Sequence, residues 1–130
     1  MRAVQTPVIP HVAALIRQTP GTISLGQGVV HYPPPPAALA ASADFGGKIT
    51  EHHYQAASGL PELQQALRVK LKSENGIDLH EDQVLMVTAG SNMGFYHCLL
   101  AIADPGDEII ISSPFYFNHE MAIGMANCHA

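Results

Sequence analysis

The stretch from Val84 to Tyr116 places the strongest constraint on how this chain can fold. It begins within an apolar run at 83–87, which is followed by a small-residue turn at 90–92, an apolar helical segment, a tight turn and a second apolar run at 108–112. Short apolar runs without alternation are typical of strands that are buried on both faces of a parallel sheet. The order strand, helix, strand is therefore that of a β-α-β unit, with a deeply packed crossover helix.

The chain around this unit predicts an α/β fold. A further helix is expected at 119–125, and the sequence ends soon afterwards at Ala130. A β-α-β unit followed by the start of another crossover is the beginning of a doubly wound, mostly parallel sheet with helices on both faces. Two strands alone do not make a stable sheet, so we expect the architecture to be truncated.

Three helices are expected before this unit. An amphipathic helix at 7–18 carries an apolar stripe that it cannot cover by itself, so we expect it to dock elsewhere in the protein or on a second subunit. An alanine-rich helix is expected at 37–45. The clearest helix begins after Gly59, with proline and an acid in its first turn, and ends at Asn75-Gly76.

Composition and charge exclude several classes of function. The 130 residues are 47% hydrophobic and 13% charged, against an average of about 25% charged, with a formal net charge of −5. The absence of a basic run argues against a nucleic-acid partner, and no apolar run has the roughly 18 residues of a membrane span. Cys98 and Cys128 lack metal or redox spacing and favour a reduced, cytoplasmic protein. The adjacent His52 and His53 have no convergent ligands, so no metal is expected.

The turn at 90–92 is the predicted chemical site. Ligands of open α/β sheets bind at the carboxyl ends of strands, where Gly90, Ser91 and Asn92 offer backbone N–H groups at the start of a helix. Tyr116 follows the second strand and could cover a flat ligand. Together these residues favour an aromatic cofactor that carries a phosphate.

Other kinds of ligand site have characteristic sequence patterns. The turn has neither the P-loop pattern nor the glycine spacing of a dinucleotide site. A purely structural strand-to-helix turn would have much the same sequence, so that interpretation stays open at this point. Ser91 lacks the Gly-x-Ser-x-Gly pattern of a hydrolase nucleophile, and His97 is expected to be a hydrogen-bonded histidine in the core.

Five motifs resemble those of the fold-type I aminotransferases of classes I and II, which depend on pyridoxal 5′-phosphate. They occur in the family's order and spacing over nearly the whole chain. They are Leu25-Gly26-Gln27-Gly28; Tyr54 with Ser58-Gly59-Leu60-Pro61-Glu62-Leu63; Val87-Thr88-Ala89-Gly90-Ser91-Asn92; Asp104-Pro105-Gly106-Asp107-Glu108; and Ser113-Pro114-Phe115-Tyr116.

The resemblance implies roles for individual residues. Ser91 and Asn92, with Gly90, match the turn whose backbone N–H groups hold the cofactor phosphate. Tyr116 matches the aromatic residue that stacks on the pyridine ring, and Tyr54 matches the tyrosine that reaches the phosphate of the other subunit. Gly28 matches a glycine near the substrate carboxylate.

The resemblance also implies an organisation and an activity. Residues 1–46 would form an N-terminal arm and a small-domain segment, and residues 47–130 the first part of the large, cofactor-binding domain. The complete protein would be a homodimer that transfers an amino group from an amino acid to a 2-oxo acid.

The resemblance identifies no catalytic residue in this chain. The Schiff-base lysine, the acid that pairs with the pyridine nitrogen and the arginine that binds substrate all match positions beyond Ala130. Lys48, Lys70 and Lys72 do not match the catalytic motif, so the chain alone is expected to be inactive. A non-catalytic dimerisation or regulatory domain of this type, or a related lyase or synthase, remains an alternative.

Overall fold

The computed structural model describes residues 4–26 and 28–130, so Gln27 of the first motif lies outside the described residues. Helices form at each of the five expected places, and one 3-10 turn lies between the second and third. They are α1 Val8–Gln18, α2 Pro36–Asp44, the 3-10 turn Ile49–His52, α3 Pro61–Asn75, α4 Ser91–Ile102 and α5 Phe117–Met125.

The ends of α3 follow directly from its sequence. Pro61 occupies the first turn, where its missing N–H removes no hydrogen bond, and Glu62 places a negative charge at the positive end of the helix. Gly76 ends the helix in the left-handed conformation, with φ 67°. Glycine adopts that conformation without steric cost, which is why the helix stops there.

The described chain divides into two compact units. The first consists of residues 4–23 and 85–130, and the second of residues 24–84. The predicted division into 1–46 and 47–130 concerns the domains of a complete protein and stays a prediction.

The first unit is built around a small core between α4 and α5. Leu99 from α4, Ile123 from α5 and Cys128 are its buried residues, and Phe95 and Ile109 are among the partly buried side chains around them. The thiol of Cys128 lies 3.3 Å from the carbonyl oxygen of Asp104. This contact joins the chain after α5 to the turn that follows α4.

The chain before and after α5 makes a parallel β-bridge. Glu108 pairs with His129, the N–H of Ile109 donates to the carbonyl of His129 at 2.7 Å, and the N–H of His129 donates to the carbonyl of Asp107 at 2.8 Å. A parallel pairing across a helix is the expected start of a parallel sheet. No longer ladder forms among residues 4–26 and 28–130.

The two predicted strand runs are not buried on both faces. Val84 is 80% exposed and Ile110 is 98% exposed. A strand is covered by neighbouring strands and by helices from elsewhere in the chain, and the described residues supply little of that cover. The expected burial of these runs is therefore not found here.

The burial of α4 also differs from the prediction. Leu99 is buried, but Leu100 and Ile102 are exposed, and His97 is exposed rather than part of a core. The buried Leu99 and the partly buried Phe95 and Tyr96 are the residues of α4 that belong to the core shared with α5. Of the predicted apolar stripe of α1, Val12 and Leu15 are exposed and Ile16 is partly buried. None of the described helices has the length and apolar character needed to span a membrane.

A carboxylate organises the chain around the 3-10 turn of the second unit. Glu51 Oε2 accepts hydrogen bonds from the backbone N–H of Gly46 at 2.6 Å and of Lys48 at 3.3 Å. These bonds hold the pKa of Glu51 below its ordinary value of 4.5, the one from Gly46 having the larger effect. The ring of His52 adds a contact of 2.9 Å between Nε2 and the Gly46 carbonyl.

The lowered pKa of Glu51 predicts loss of this local structure in acid. The ionised carboxylate stabilises the fold fully above pH 4.5, the ordinary pKa of the group, and this contribution disappears as pH falls through the lower folded-state pKa. We expect the hydrogen-exchange protection factor of the Gly46 amide to fall below pH 4.5, and to be reduced already at pH 7 by Glu51→Gln. The exposed Glu81, replaced by glutamine, is the control. Equal protection of the Gly46 amide in Glu51→Gln and Glu81→Gln would contradict the prediction.

Candidate cofactor site

The turn before α4 depends on Gly90. Its backbone has φ 81° and ψ 169°, a region that is essentially restricted to glycine. Thr88 fixes the turn, because its hydroxyl donates to the Gly90 carbonyl at 2.9 Å while the Gly90 N–H donates to the Thr88 carbonyl at 2.8 Å. A Cβ built on Gly90 would meet no atom within 4 Å, so the space in front of the turn is open.

The amino end of α4 presents unshared N–H groups to this open space. The first hydrogen bond of the helix runs from the N–H of Gly94 to the carbonyl of Gly90 at 3.2 Å, so the N–H groups of Ser91, Asn92 and Met93 precede the helical ladder. Gly90 makes no side-chain cap, and the first turn contains no acidic residue. Ser91 and Asn92 are exposed. These donors and the positive end of the helix dipole favour a bound anion.

Tyr116 stands at the amino end of α5, with its ring held from several sides. The side-chain amide of Asn118 donates to the Tyr116 hydroxyl at 2.7 Å. The rings of Phe117 and His119 approach it edge-on, with centroids at 5.0 and 5.4 Å. The residue is nevertheless 45% exposed, so part of the ring is free to contact a ligand.

Two features connect Tyr116 to the turn. His119 stacks on Phe95 of α4 with ring centroids 4.0 Å apart and planes inclined by 15°. A groove of about 280 Å³ lies between α4 and α5, and its lining includes both Asn92 and Asn118. The start of α4 and Asn118, the hydrogen-bond partner of Tyr116, therefore line the same groove.

Sequence reasoning did not identify the residues that support this site. The sequence indicates Thr88 only as part of a motif and indicates no role in the site for Phe95, Asn118 or His119. Asn118 and His119 lie two and three residues after Tyr116, in the first turn of α5, which is the one signal that could have indicated them.

The remaining predicted binding residues lie in the unit of residues 24–84. Tyr54 has a fully exposed side chain, and a Cβ on Gly28 would meet nothing within 4 Å. Gly90, Ser91, Asn92 and Tyr116 all belong to the other unit. The roles of these six residues stay predictions.

The described residues offer neither a metal cluster nor a buried lysine site. Among positions 4–26 and 28–130, no group of three or more His, Cys, Asp or Glu side chains could hold a metal ion. Lys70 pairs with Glu74 at 2.9 Å and Lys72 with Asp78 at 2.7 Å, and the lysine side chains are exposed by 53% and 68%. Both are surface ion pairs of the kind that contributes little to stability.

Comparisons with known proteins indicate the family of this chain. The family described as "Aminotransferase class I and II" matches residues 20–129. The aromatic aminotransferase ISS1 of Arabidopsis thaliana is 40% identical over 119 residues, which are 92% of this chain and 29% of that protein. An aspartate aminotransferase of Streptomyces avermitilis is 34% identical over 80% of this chain and 25% of its own length.

Solved structures give the same family and fold. The structure of N-succinyldiaminopimelate aminotransferase from Mycobacterium tuberculosis superposes with a TM-score of 0.82 at 26% identity, over 98% of this chain and 33% of that one. This chain thus spans a third or less of the length of these relatives. The neighbours have the α/β fold of the pyridoxal-phosphate transferases, and members of this family use pyridoxal 5′-phosphate. Since the family match extends from residue 20 to residue 129, the chain belongs to the class I and II aminotransferases.

Proposed function

We propose that this chain is the part of a pyridoxal-phosphate-dependent aminotransferase that binds the phosphate and covers the ring of the cofactor. The observation that carries the proposal is the open, uncapped amino end of α4 behind Gly90, in the same unit as Tyr116. The complete protein would transfer an amino group from an amino acid to a 2-oxo acid. The named substrates of the relatives differ, so the proposal stops at these two classes of substrate.

The residues at the turn fit a phosphate monoester. The N–H groups of Ser91 and Asn92 would donate to its oxygens, and the open space in front of Gly90 would let the phosphate approach the backbone closely. A hydrogen bond to a charged group contributes about 1.5–3 kcal/mol, so two such bonds are enough to fix the phosphate. The helix dipole adds about 0.3–1 kcal/mol at an exposed site.

Tyr116 fits the aromatic part of the same ligand. Its ring is restrained by Asn118 and His119, and the residue is still 45% exposed, so the ring would cover a pyridine ring without having to reorganise. The bound cofactor supplies the electron sink for chemistry at the amino-acid carbon. The residues of this chain would hold and orient the cofactor. Residues 1–130 alone would not transaminate.

The other predicted features belong to the same proposal. The runs at 83–87 and 108–112 would be strands of a mostly parallel sheet with helices on both faces, as the parallel bridge between Glu108 and His129 supports. Residues 1–46 would be the arm and small-domain segment, and 47–130 the start of the large domain. The free thiols of Cys98 and Cys128 are consistent with a cytoplasmic protein.

Two exposed features support a homodimer. The ring of Tyr54 is fully exposed in its own unit and would reach the phosphate in a second subunit. The exposed part of the apolar stripe on α1, at Val12 and Leu15, would be covered by that subunit. Gly28, whose surroundings are open, would lie near the substrate carboxylate.

The proposal predicts that the chain binds the cofactor ring through Tyr116. We expect calorimetric titration to detect binding of pyridoxine 5′-phosphate, which lacks the aldehyde and cannot label surface lysines. Tyr116→Ala should weaken that affinity about threefold to tenfold, the range that an aromatic contact of about 0.5–1.5 kcal/mol implies. The affinity for inorganic phosphate should remain within about twofold, because the N–H donors of α4 are unchanged.

The exposed Tyr32 provides the matched control, since Tyr32→Ala removes an equal ring from the other unit. No binding of pyridoxine 5′-phosphate by the unmodified chain would contradict the proposed function. Equal affinities of the two tyrosine variants would contradict the role of Tyr116.

A further inference from the structure

His119 lies between the two halves of the proposed site. One face of its imidazole stacks on Phe95 at 4.0 Å, and Tyr116 meets the imidazole at 5.4 Å with the ring planes inclined by 85°. Phe95 is one helical turn after Ser91, where the predicted phosphate donors begin. The imidazole is therefore the side chain that joins the ring of Tyr116 to the first turns of α4.

The helix does not need the imidazole in order to form. The backbone N–H of His119 donates to the carbonyl of Tyr116 at 2.9 Å, a bond that any residue except proline could make. Among the described residues, no hydrogen bond to the imidazole nitrogens is formed. The contribution of the side chain thus comes from its two contacts with other rings.

Those contacts complete the restraint on Tyr116. Asn118 holds the phenol oxygen at 2.7 Å but leaves the ring free to turn about the axis that passes through that oxygen. Phe117 and His119 meet the ring edge-on and limit this rotation, and of the two His119 is the one that the stack on Phe95 ties to α4. The direction of the exposed part of the ring then depends on α4 as well as on α5.

We infer that His119 is a positioning residue, which orients Tyr116 toward the cofactor ring through its stack on Phe95. The inference rests on the proposed function and adds to it a residue that touches neither the phosphate nor the pyridine ring. Because the phosphate donors are backbone groups of α4, loss of the imidazole should affect recognition of the ring and leave recognition of the phosphate unchanged.

The inference is tested by titrating variants of the chain with pyridoxine 5′-phosphate and, separately, with inorganic phosphate. His119→Leu keeps the apolar volume but removes the flat ring, and should weaken binding of pyridoxine 5′-phosphate about threefold to tenfold. His119→Phe keeps a flat ring and should retain the affinity of the unmodified chain. All variants should bind inorganic phosphate within about twofold of one another. The exposed His97, replaced by leucine, is the control on α4.

A double-mutant cycle separates positioning from a general structural role. If His119 acts through Tyr116, His119→Leu should have no further effect on affinity once Tyr116 is leucine. Phe95→Leu should reproduce the effect of His119→Leu on affinity for pyridoxine 5′-phosphate. Thermal unfolding followed by circular dichroism is the control, and it should show that both variants remain folded at the temperature of the titrations.

The outcomes distinguish the inference from the proposed function. Equal binding by the unmodified chain, His119→Leu and His119→Phe would overturn the positioning role and leave the proposed function intact. A parallel loss of affinity for inorganic phosphate would also overturn it, since the turn itself would then be disturbed. Absence of pyridoxine 5′-phosphate binding by the unmodified chain would instead remove the proposed function on which the inference rests.

Discussion

Replacing Ile123 with alanine is expected to remove most of the stability of the unit formed by residues 4–23 and 85–130. Ile123 is 0% exposed and is one of the three buried hydrophobic residues, with Leu99 and Cys128, that form the core between α4 and α5. Truncation of a buried isoleucine to alanine costs about 2–5 kcal/mol. A typical domain has only about 5–15 kcal/mol of stability in total, and a core of this size places the unit at the low end of that range.

Ile110→Ala is the matched control for this prediction. It removes the same atoms from the same unit, but Ile110 is 98% exposed, so its free energy of unfolding should change by no more than about 0.5 kcal/mol. Urea denaturation followed by circular dichroism measures both variants. Equal shifts of the two midpoints would show that Ile123 does not carry the core.

The helices could be predicted because their signals are local. Pro61, Glu62 and Gly76 act through the first and last turns of α3, and each works whatever lies beside the helix. The burial of a strand has no such local cause. Ile110 belongs to an apolar run that suits a covered strand, yet its surroundings are decided by neighbours that residues 4–26 and 28–130 do not supply. The prediction that His97 lies in the core was wrong for a similar reason. Which residues of α4 are buried depends on where the helix meets the core that it shares with α5, and His97 lies outside that contact.

The candidate site was predictable to a similar degree. A glycine between an apolar run and a helix indicated the turn at Gly90, and the position of Tyr116 after the second run indicated an aromatic neighbour. From these residues alone, the ligand was an anion beside a flat ring, and the family resemblance made it a specific cofactor. The stack of His119 on Phe95 depends on how α4 and α5 pack, which no spacing along the sequence contains.

Gly90→Ala is expected to produce the largest loss of binding. The backbone of Gly90 has φ 81° and ψ 169°, where a residue with a side chain is strained by about 1–3 kcal/mol even though a Cβ would meet no neighbouring atom. The turn can relieve that strain by rotating, which would move the N–H groups of Ser91 and Asn92. Loss of one hydrogen bond to a charged oxygen costs about 1.5–3 kcal/mol, so affinity for phosphate and for pyridoxine 5′-phosphate should fall about tenfold to a hundredfold.

Gly106→Ala separates this effect from simple destabilisation. Gly106 belongs to the same unit, has φ 98° and also has open space where a Cβ would stand, but it lies in the turn after α4 rather than before it. Both variants should therefore lose stability, by about 1–3 kcal/mol each if they are strained alike, and only Gly90→Ala should lose affinity when calorimetric titrations are corrected for the folded fraction. Equal affinities in the two variants would mean that the phosphate does not depend on the conformation of Gly90. The positive end of α4 would then have to attract the anion without a fixed turn, which is a weaker and less selective interaction.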